Sequence, residues 1–180
     1  PSSIFYTMSN SDDLPPNNEQ NIHHQERERE FELAIGDEEN IKRVTDHIAR
    51  YIGDPATVFH EMISDVVHVD VHVVKPRPDR DFYTLVTSGM SDRAMTPQPD
   101  QAEYNYAELM ICLPPDWPLD NEEHQWPSEL LRYLARMPHE YETWFAEGHS
   151  VPNGDPPEAF PNVRVEPLEL DLQRDVVLGH

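Results

Sequence analysis

The sequence contains few residues of several kinds, and each shortage argues against a class of protein. Cys112 is the only cysteine among 180 residues, so the chain has no internal disulfide to form. The six glycines are isolated from one another, so no glycine-rich loop is available to hold a phosphate group. No stretch approaches the roughly 18 consecutive apolar residues of a membrane-spanning helix. A disulfide scaffold, a nucleotide-dependent enzyme and an integral membrane protein are therefore disfavoured.

Basic residues are also scarce. The chain has 13 Lys and Arg residues against 35 Asp and Glu residues, which gives a net charge of −22. A field of that sign repels nucleic-acid phosphates and anionic membrane surfaces and attracts basic proteins. The charge predicts a basic protein partner, with no nucleic acid and no membrane. Solubility alone is the competing explanation.

Three features predict a cytoplasmic protein. Cys112 lies inside the apolar run Ala107–Leu113, where we expect a buried, reduced thiol. Residues Pro1–Asn10 lack the charged start and apolar run of a signal peptide. The sequence contains no Asn-x-Ser/Thr glycosylation site.

Composition divides the chain into a polar arm and one domain. Residues 1–30 are rich in Ser, Asn, Asp, Gln and Glu and have few large apolar side chains, which predicts a mobile arm. Residues 31–180 are expected to form the domain. The stretch Arg27–Ile35 is weakly amphipathic and is compatible with either a helix or an edge element.

The periodicity of the domain predicts an α+β fold, with a mixed, largely antiparallel central sheet flanked by helices. One helix is expected to open at Asp37 and to stop at Gly53; a second begins at Trp126-Pro127 and is broken or kinked at Pro138. The predicted strands centre on Val67–Val73, Phe82–Ser88, Tyr106–Leu113 and Val163–Leu172.

The first predicted strand places three polar side chains on one face. His68, Asp70 and His72 alternate with valines, so we expect them to point out of the sheet. His-x-His on a strand can bind zinc, with Asp70 as a third ligand or an orienting partner. A hydrogen-bonded or partner-facing surface is the favoured alternative, because no second ligand cluster stands out. We therefore predict no metal and no cofactor.

Two other patterns resemble catalytic motifs without matching them. His60-Glu61 begins like the metalloprotease helix signature, but residue 64 is Ser and not His. The run Ser88-Gly89-Met90-Ser91-Asp92 contains serines, but its order is not that of a nucleophile elbow. Its chemistry predicts a turn in which Gly89 takes a positive φ and Ser91 or Asp92 caps the following backbone.

An acidic loop follows the third predicted strand. It contains Asp116 and Asp120, with Trp117 beside them. A solvated loop is the simple interpretation, and an acidic patch for a basic partner is the functional one. Trp117 is either a core residue or an exposed interface anchor.

Several separate motifs resemble the bacterial branch of the suppressor-of-fused-like family. They are His68–Val74, Tyr83–Ser91, Trp126–Leu131 with Leu134–Arg136, and Gly148–Pro156, in that order along the chain. The resemblance spans roughly residues 38–160 and implies an α/β sandwich. Eukaryotic members hold transcription factors of the Hedgehog pathway by clamping a short peptide, and bacterial members look like immunity proteins of toxin systems.

These observations predict a non-catalytic protein-binding module rather than an enzyme. An immunity-type protein that neutralises a basic toxin is the leading hypothesis. A regulatory peptide-binding protein and a metal-dependent enzyme built on His68, Asp70 and His72 are the alternatives. The residues expected to take part in binding are His68, Asp70, His72, Ser88, Gly89, Met90, Ser91, Asp92, Asp116, Trp117 and Asp120.

Overall fold

The structure, a computed structural model, describes residues 4–8, 21–24, 29–146, 149–151 and 160. Over those ranges the helices and strands, in chain order, are β1 (Ile4–Met8), β2 (Asn21–His24), α1 (Glu38–Tyr51), β3 (Thr57–Phe59), β4 (Asp70–Val74), β5 (Tyr83–Ser88), β6 (Met110–Leu113), α2 (Trp126–Glu140) and β7 (His149–Ser150). Among these strands every pairing is antiparallel, in the orders β3-β4-β5-β6 and β2-β1-β7. The predicted α+β class is confirmed.

Helix α1 begins and ends where the sequence predicts. The Asp37 side chain accepts hydrogen bonds from the backbone N–H groups of Glu39 and Asn40, at 3.0 and 3.1 Å, and so caps the first turn. At the other end Gly53 has a φ of +143° and donates its N–H to Ile48 O at 2.9 Å. No helix in the described ranges is both long enough and apolar enough to cross a bilayer.

The central sheet is covered on both faces. Val71, Val73 and Leu85 pack on one side with Leu131 of α2. Val74 and Val86 pack on the other side against Ile48 of α1. Every residue of β4 is therefore buried, including the polar ones. The expectation that Asp70 and His72 point outwards is wrong, because α1 lies over the face that they share.

The strands are shorter than the apolar runs that predicted them. Strand β4 begins at Asp70 because the chain turns sharply just before it: Val66 has a φ of +68°, and Val67 N–H bonds to Asp65 O at 2.8 Å. Strand β6 begins at Met110, and Cys112 on it is exposed rather than buried. Helix α2 contains Pro138 in its last turn and ends two residues later.

Residues 29–36 run in an extended path along residues 64–66. Leu33 forms an isolated antiparallel bridge with Asp65, and Ala34 N–H bonds to Ser64 O at 3.1 Å. This supports the edge-element alternative for the end of Arg27–Ile35. The division into a mobile arm and a domain at residue 30 stays a prediction, and the predicted strand Val163–Leu172 lies outside the described residues.

We predict that Gly89→Ala strongly destabilises the fold. Gly89 has a φ of +107°, and a Cβ there would lie 1.8 Å from the backbone oxygen of His68, so the sheet or the turn would have to move. We expect the free energy of unfolding in urea to fall by more than about 2 kcal/mol.

Gly36→Ala is the matched control. A Cβ at Gly36 would meet the end of the Ile41 side chain at 2.7 Å, and that side chain can rotate away. We expect the free energy of unfolding to fall by about 1 kcal/mol or less. Equal losses for the two variants would contradict the role assigned to Gly89.

Candidate functional site

A buried carboxylate at the start of β4 is the centre of the candidate site. Asp70 is 4% exposed, and its Oδ1 accepts the backbone N–H of Glu61 at 3.0 Å. His68 Nε2 lies 3.2 Å from the same oxygen. The other oxygen, Oδ2, lies 2.8 Å from Nδ1 of His60, whose ring is largely exposed at the end of β3. Asp70 thus joins the sheet to the loop that follows β3.

A second carboxylate extends these contacts to α2. The Ser64 hydroxyl donates to Glu61 Oε2 at 2.6 Å, and its oxygen lies 2.7 Å from His68 Nδ1. Glu61 also accepts the Val69 N–H at 3.1 Å and forms an ion pair with Arg136. Burial lowers the pKa of Arg136, although a guanidinium still keeps its charge. We call His60, Glu61, Ser64, His68 and Asp70 the Asp70 network.

The Asp70 network contains serine, histidine and aspartate in contact, but its geometry does not activate the serine. Ser64 has one hydroxyl hydrogen and gives it to Glu61, so His68 acts as a donor to Ser64 and not as its base. Ser64 is also 1% exposed. In the described part of the chain, no group of three or more His, Cys, Asp or Glu side chains is placed to hold a metal ion. The contacts are those of a structural network.

His72 lies apart from this network although it shares a strand face with Asp70. Its Nε2 lies 2.8 Å from the Ser88 hydroxyl on the neighbouring strand, and its ring is 2% exposed. Burial lowers the pKa of His72 from its ordinary value of 6.5, which favours the neutral ring. His72 and Ser88 therefore stabilise the sheet from inside, and neither is positioned to contact a partner directly.

The turn after β5 is confirmed, but its caps differ from the prediction. Asp92 accepts the backbone N–H of Asp37 at 2.8 Å and the Asn40 side-chain amide at 2.6 Å, so it holds the start of α1 rather than its own turn. Ser91 donates its hydroxyl to Glu108 at 2.6 Å. Met90 is fully buried. The turn fixes α1 against the sheet.

Glu108 is a residue that sequence reasoning missed. Its Oε1 accepts the N–H groups of Gly89 and Ser91, both at 3.0 Å, and its Oε2 accepts the Thr87 hydroxyl at 2.6 Å. These partners lie 17 to 21 residues away in the sequence. No local pattern marks such a carboxylate.

The acidic loop after β6 is only partly available for binding. Asp116 and Asp120 are exposed, as an acidic patch requires. Trp117 packs against the core cluster of β4 and β5, and its indole N–H donates to His124 O at 3.0 Å. The core interpretation of Trp117 is therefore supported, and the exposed-anchor interpretation is not.

A strip of exposed apolar side chains adjoins the Asp70 network. The apolar strip consists of Phe31, Leu33, Ile35, Met62 and Ile63, which are between 61 and 91% exposed. Four of them, all except Phe31, line one cleft of about 620 Å³ with His60, His68 and Asp70. The sequence carried part of this signal, because the large apolar residues 31, 33 and 35 alternate with Glu32, Ala34 and Gly36. The adjacent residues Met62 and Ile63 show no such alternation.

We predict that the stability of the fold decreases as the pH falls below about 6.5. Burial lowers the folded-state pKa of both His72 and His139, while their unfolded rings titrate near 6.5. Protons therefore bind the unfolded chain first, and the free energy of unfolding is fully available only above that pH. Urea denaturation at pH values between about 7.5 and 5 measures the slope.

His72→Gln is the variant that checks this assignment. It removes one of these two rings, so its stability should depend less on pH than that of the wild type, and the stability of His72→Gln/His139→Gln should depend on pH less again. An unchanged slope in the double variant would show that these rings do not carry the effect.

Comparison with known proteins agrees with the expected family. The family model described as suppressor of fused protein (SUFU) matches residues 65–168, more than half of the chain. No curated protein and no solved structure matches. The matched range contains β4, β5, β6 and α2, together with the turn at Gly89 and the Asp70 carboxylate. The chain belongs to the suppressor of fused family, a family of protein-interaction modules.

Proposed function

We propose that this protein is a non-catalytic, immunity-type module that neutralises a basic toxin by binding it stoichiometrically. The apolar strip is the observation that carries the proposal. Contiguous exposed apolar surface on a folded domain marks an interaction site. Four of the strip's side chains share one cleft, and the loop that presents two of them is held by the Asp70 network.

Carboxylates adjoin the strip and favour a basic partner. Glu30 and Glu32 are exposed and alternate with Phe31 and Leu33 along the chain, and Glu38 lines the cleft. Arg93 lies 3.3 Å from Glu32, and such an exposed pair contributes little stability. An apolar centre with a charged rim is the usual anatomy of a protein interface. The rim and the net charge of −22 both favour a basic partner.

The contacts of the Asp70 network support binding rather than catalysis. Ser64 is buried and gives its hydrogen to Glu61, and Asp70 holds the backbone of that same residue. These groups position a loop. In this proposal Asp70, His72, Ser88 and Met90 contribute to binding by placing α1 and the loop, while Asp116 and Asp120 extend the acidic surface.

A regulatory peptide-binding role is the second candidate, and strand β6 favours it. Among the described strands β6 pairs only with β5, so none of these strands occupies the other edge of β6, where a peptide could add as a further strand. Met110 and Cys112 on β6 are exposed. A peptide bound there would use backbone hydrogen bonds along Met110–Leu113 and would leave the apolar strip free.

We predict that Met62→Asp abolishes protection in cells that express the toxin domain encoded beside this gene. The aspartate places a charge in the centre of the strip, and we expect the dissociation constant to rise at least tenfold, or about 1.4 kcal/mol. Growth rescue and calorimetry with the purified toxin domain measure the two effects.

Met110→Asp is the matched control for this experiment. It adds the same charge at a methionine that is also exposed, but on β6. Protection should survive Met110→Asp. Loss of protection in Met110→Asp alone would favour the peptide-binding role. If the wild-type protein binds no toxin encoded beside its gene, the immunity proposal is wrong.

We also predict that salt slows the capture of the partner. The charge of −22 should steer a basic protein towards the surface, and added salt screens that attraction. The association rate constant should fall at least about tenfold between roughly 50 and 500 mM salt, with a much smaller change in the dissociation rate constant. Stopped-flow mixing measures both. A salt-independent association rate would remove electrostatic steering from the proposal.

A further inference from the structure

We propose that the cleft beside α1 receives one lysine or arginine side chain of the partner, whose charged head binds Asp70. This inference rests on the proposed function, because it names the group that the apolar strip and its cleft recognise. The cleft, of about 620 Å³, lies within the roughly 300–1,000 Å³ of ordinary ligand pockets. It is therefore large enough for a long side chain.

Asp70 and its neighbour Glu61 differ in the basic side chains that contact them. Glu61 forms an ion pair with Arg136. In the described part of the chain, the basic groups in contact with Asp70 are the rings of His60 and His68. A buried carboxylate is normally matched by a cation, and an ammonium or guanidinium makes the stronger charge-assisted hydrogen bond. The Arg132 guanidinium of α2 acts on Asp70 through its charge but donates its hydrogen bonds to the carbonyls of Val69 and Phe59, so a charge-assisted hydrogen bond to Asp70 is left for a cation from outside.

One of the two Asp70 oxygens has room for another donor. Oδ1 of Asp70 is in contact with two groups, the Glu61 N–H and His68 Nε2. Oδ2 meets a single described donor, His60 Nδ1. Since an ionised carboxylate offers about four lone-pair sites, one on Oδ2 is left over.

The His60 ring lies against Asp70 Oδ2 and can rotate away from it. The His60 side chain is 69% exposed, whereas that of Asp70 is 6% exposed. Exposed side chains change rotamer on the picosecond to nanosecond timescale. A rotation of the ring exposes Oδ2 without any movement of the backbone, because Glu61 N–H holds the other oxygen.

The walls of the cleft suit the aliphatic part of a lysine or arginine. Leu33, Ile35, Ile41, Met62 and Ile63 line it. Long basic side chains place their methylene groups on apolar surface while the charged head reaches a polar site. Glu38 and Lys42 also line the cleft, and Lys42 is paired with Asp46 one helical turn away.

The test uses two small probes, capped lysine amide and capped norleucine amide, which share the aliphatic chain but differ in the charged head. Each is titrated into the full-length protein and followed by NMR of the Glu61 amide and the His60 ring. We expect capped lysine to shift these signals saturably and capped norleucine to bind at least tenfold more weakly. Equal binding of the two probes, or no response to capped lysine, would overturn the cation site.

Three variants locate the site. Asp70→Asn should reduce the affinity for capped lysine at least tenfold, whereas Asp100→Asn, which removes the same charge from an exposed residue outside the cleft, should change it less than twofold. His60→Ala removes the ring that competes for Oδ2 and should tighten binding severalfold. It decides the question even if Asp70→Asn does not fold, since weaker binding in His60→Ala contradicts the proposal.

The outcome is separable from that of the proposed function. If Met62→Asp abolishes toxin binding while His60→Ala leaves the affinity for capped lysine unchanged, the strip is the interface and the cation site is wrong. If capped lysine binds as expected and the toxin does not, the site stands and the immunity role fails.

Discussion

The hydrogen bonds of the buried Asp70 carboxylate fix the surface on which the proposed function depends. Asp70 lies on β4, a strand covered on both faces, and it holds the backbone of Glu61. Glu61 in turn is tied to α2 through Arg136. The loop that presents Met62 and Ile63 is thus anchored to both the sheet and a helix. A surface held in place before binding loses less conformational entropy on association, which favours affinity.

The same two-sided packing explains why the core contains so many polar groups. A polar side chain in a buried strand is costly unless it is hydrogen-bonded. His72 is hydrogen-bonded to Ser88, and the backbone N–H of Gly89 donates to the carboxylate of Glu108. Gly89 also lies against the His68 backbone so closely that a Cβ would not fit. These contacts specify where α1 and the turn sit on the sheet, which apolar packing alone would not do.

The sequence predicted the elements that carry strong local signals. Asp37 as a cap, the spacing of apolar residues in α1, and Pro127 at the start of α2 each act within one or two turns. Alternation in β4 showed that two faces differ, but it did not show that α1 covers the polar one. Strand β3, with three residues, is too short for a pattern. His68 and Asp70 were expected in the site, but their contacts with His60, Glu61 and Ser64 were not, because these are ordinary polar residues until the fold brings them together.

In the proposed function, steering and recognition are carried by different parts of the molecule. The net charge acts over a Debye length of about 10 Å and attracts any basic protein, so it cannot select one. Selection needs short-range contacts, which in the proposed function come from the apolar strip and its cleft. All five residues of the strip lie before residue 65, where the family match begins, whereas Asp70 lies inside the match. The family match therefore covers β4, β5, β6 and α2, whereas the strip, α1 and β3 lie outside it.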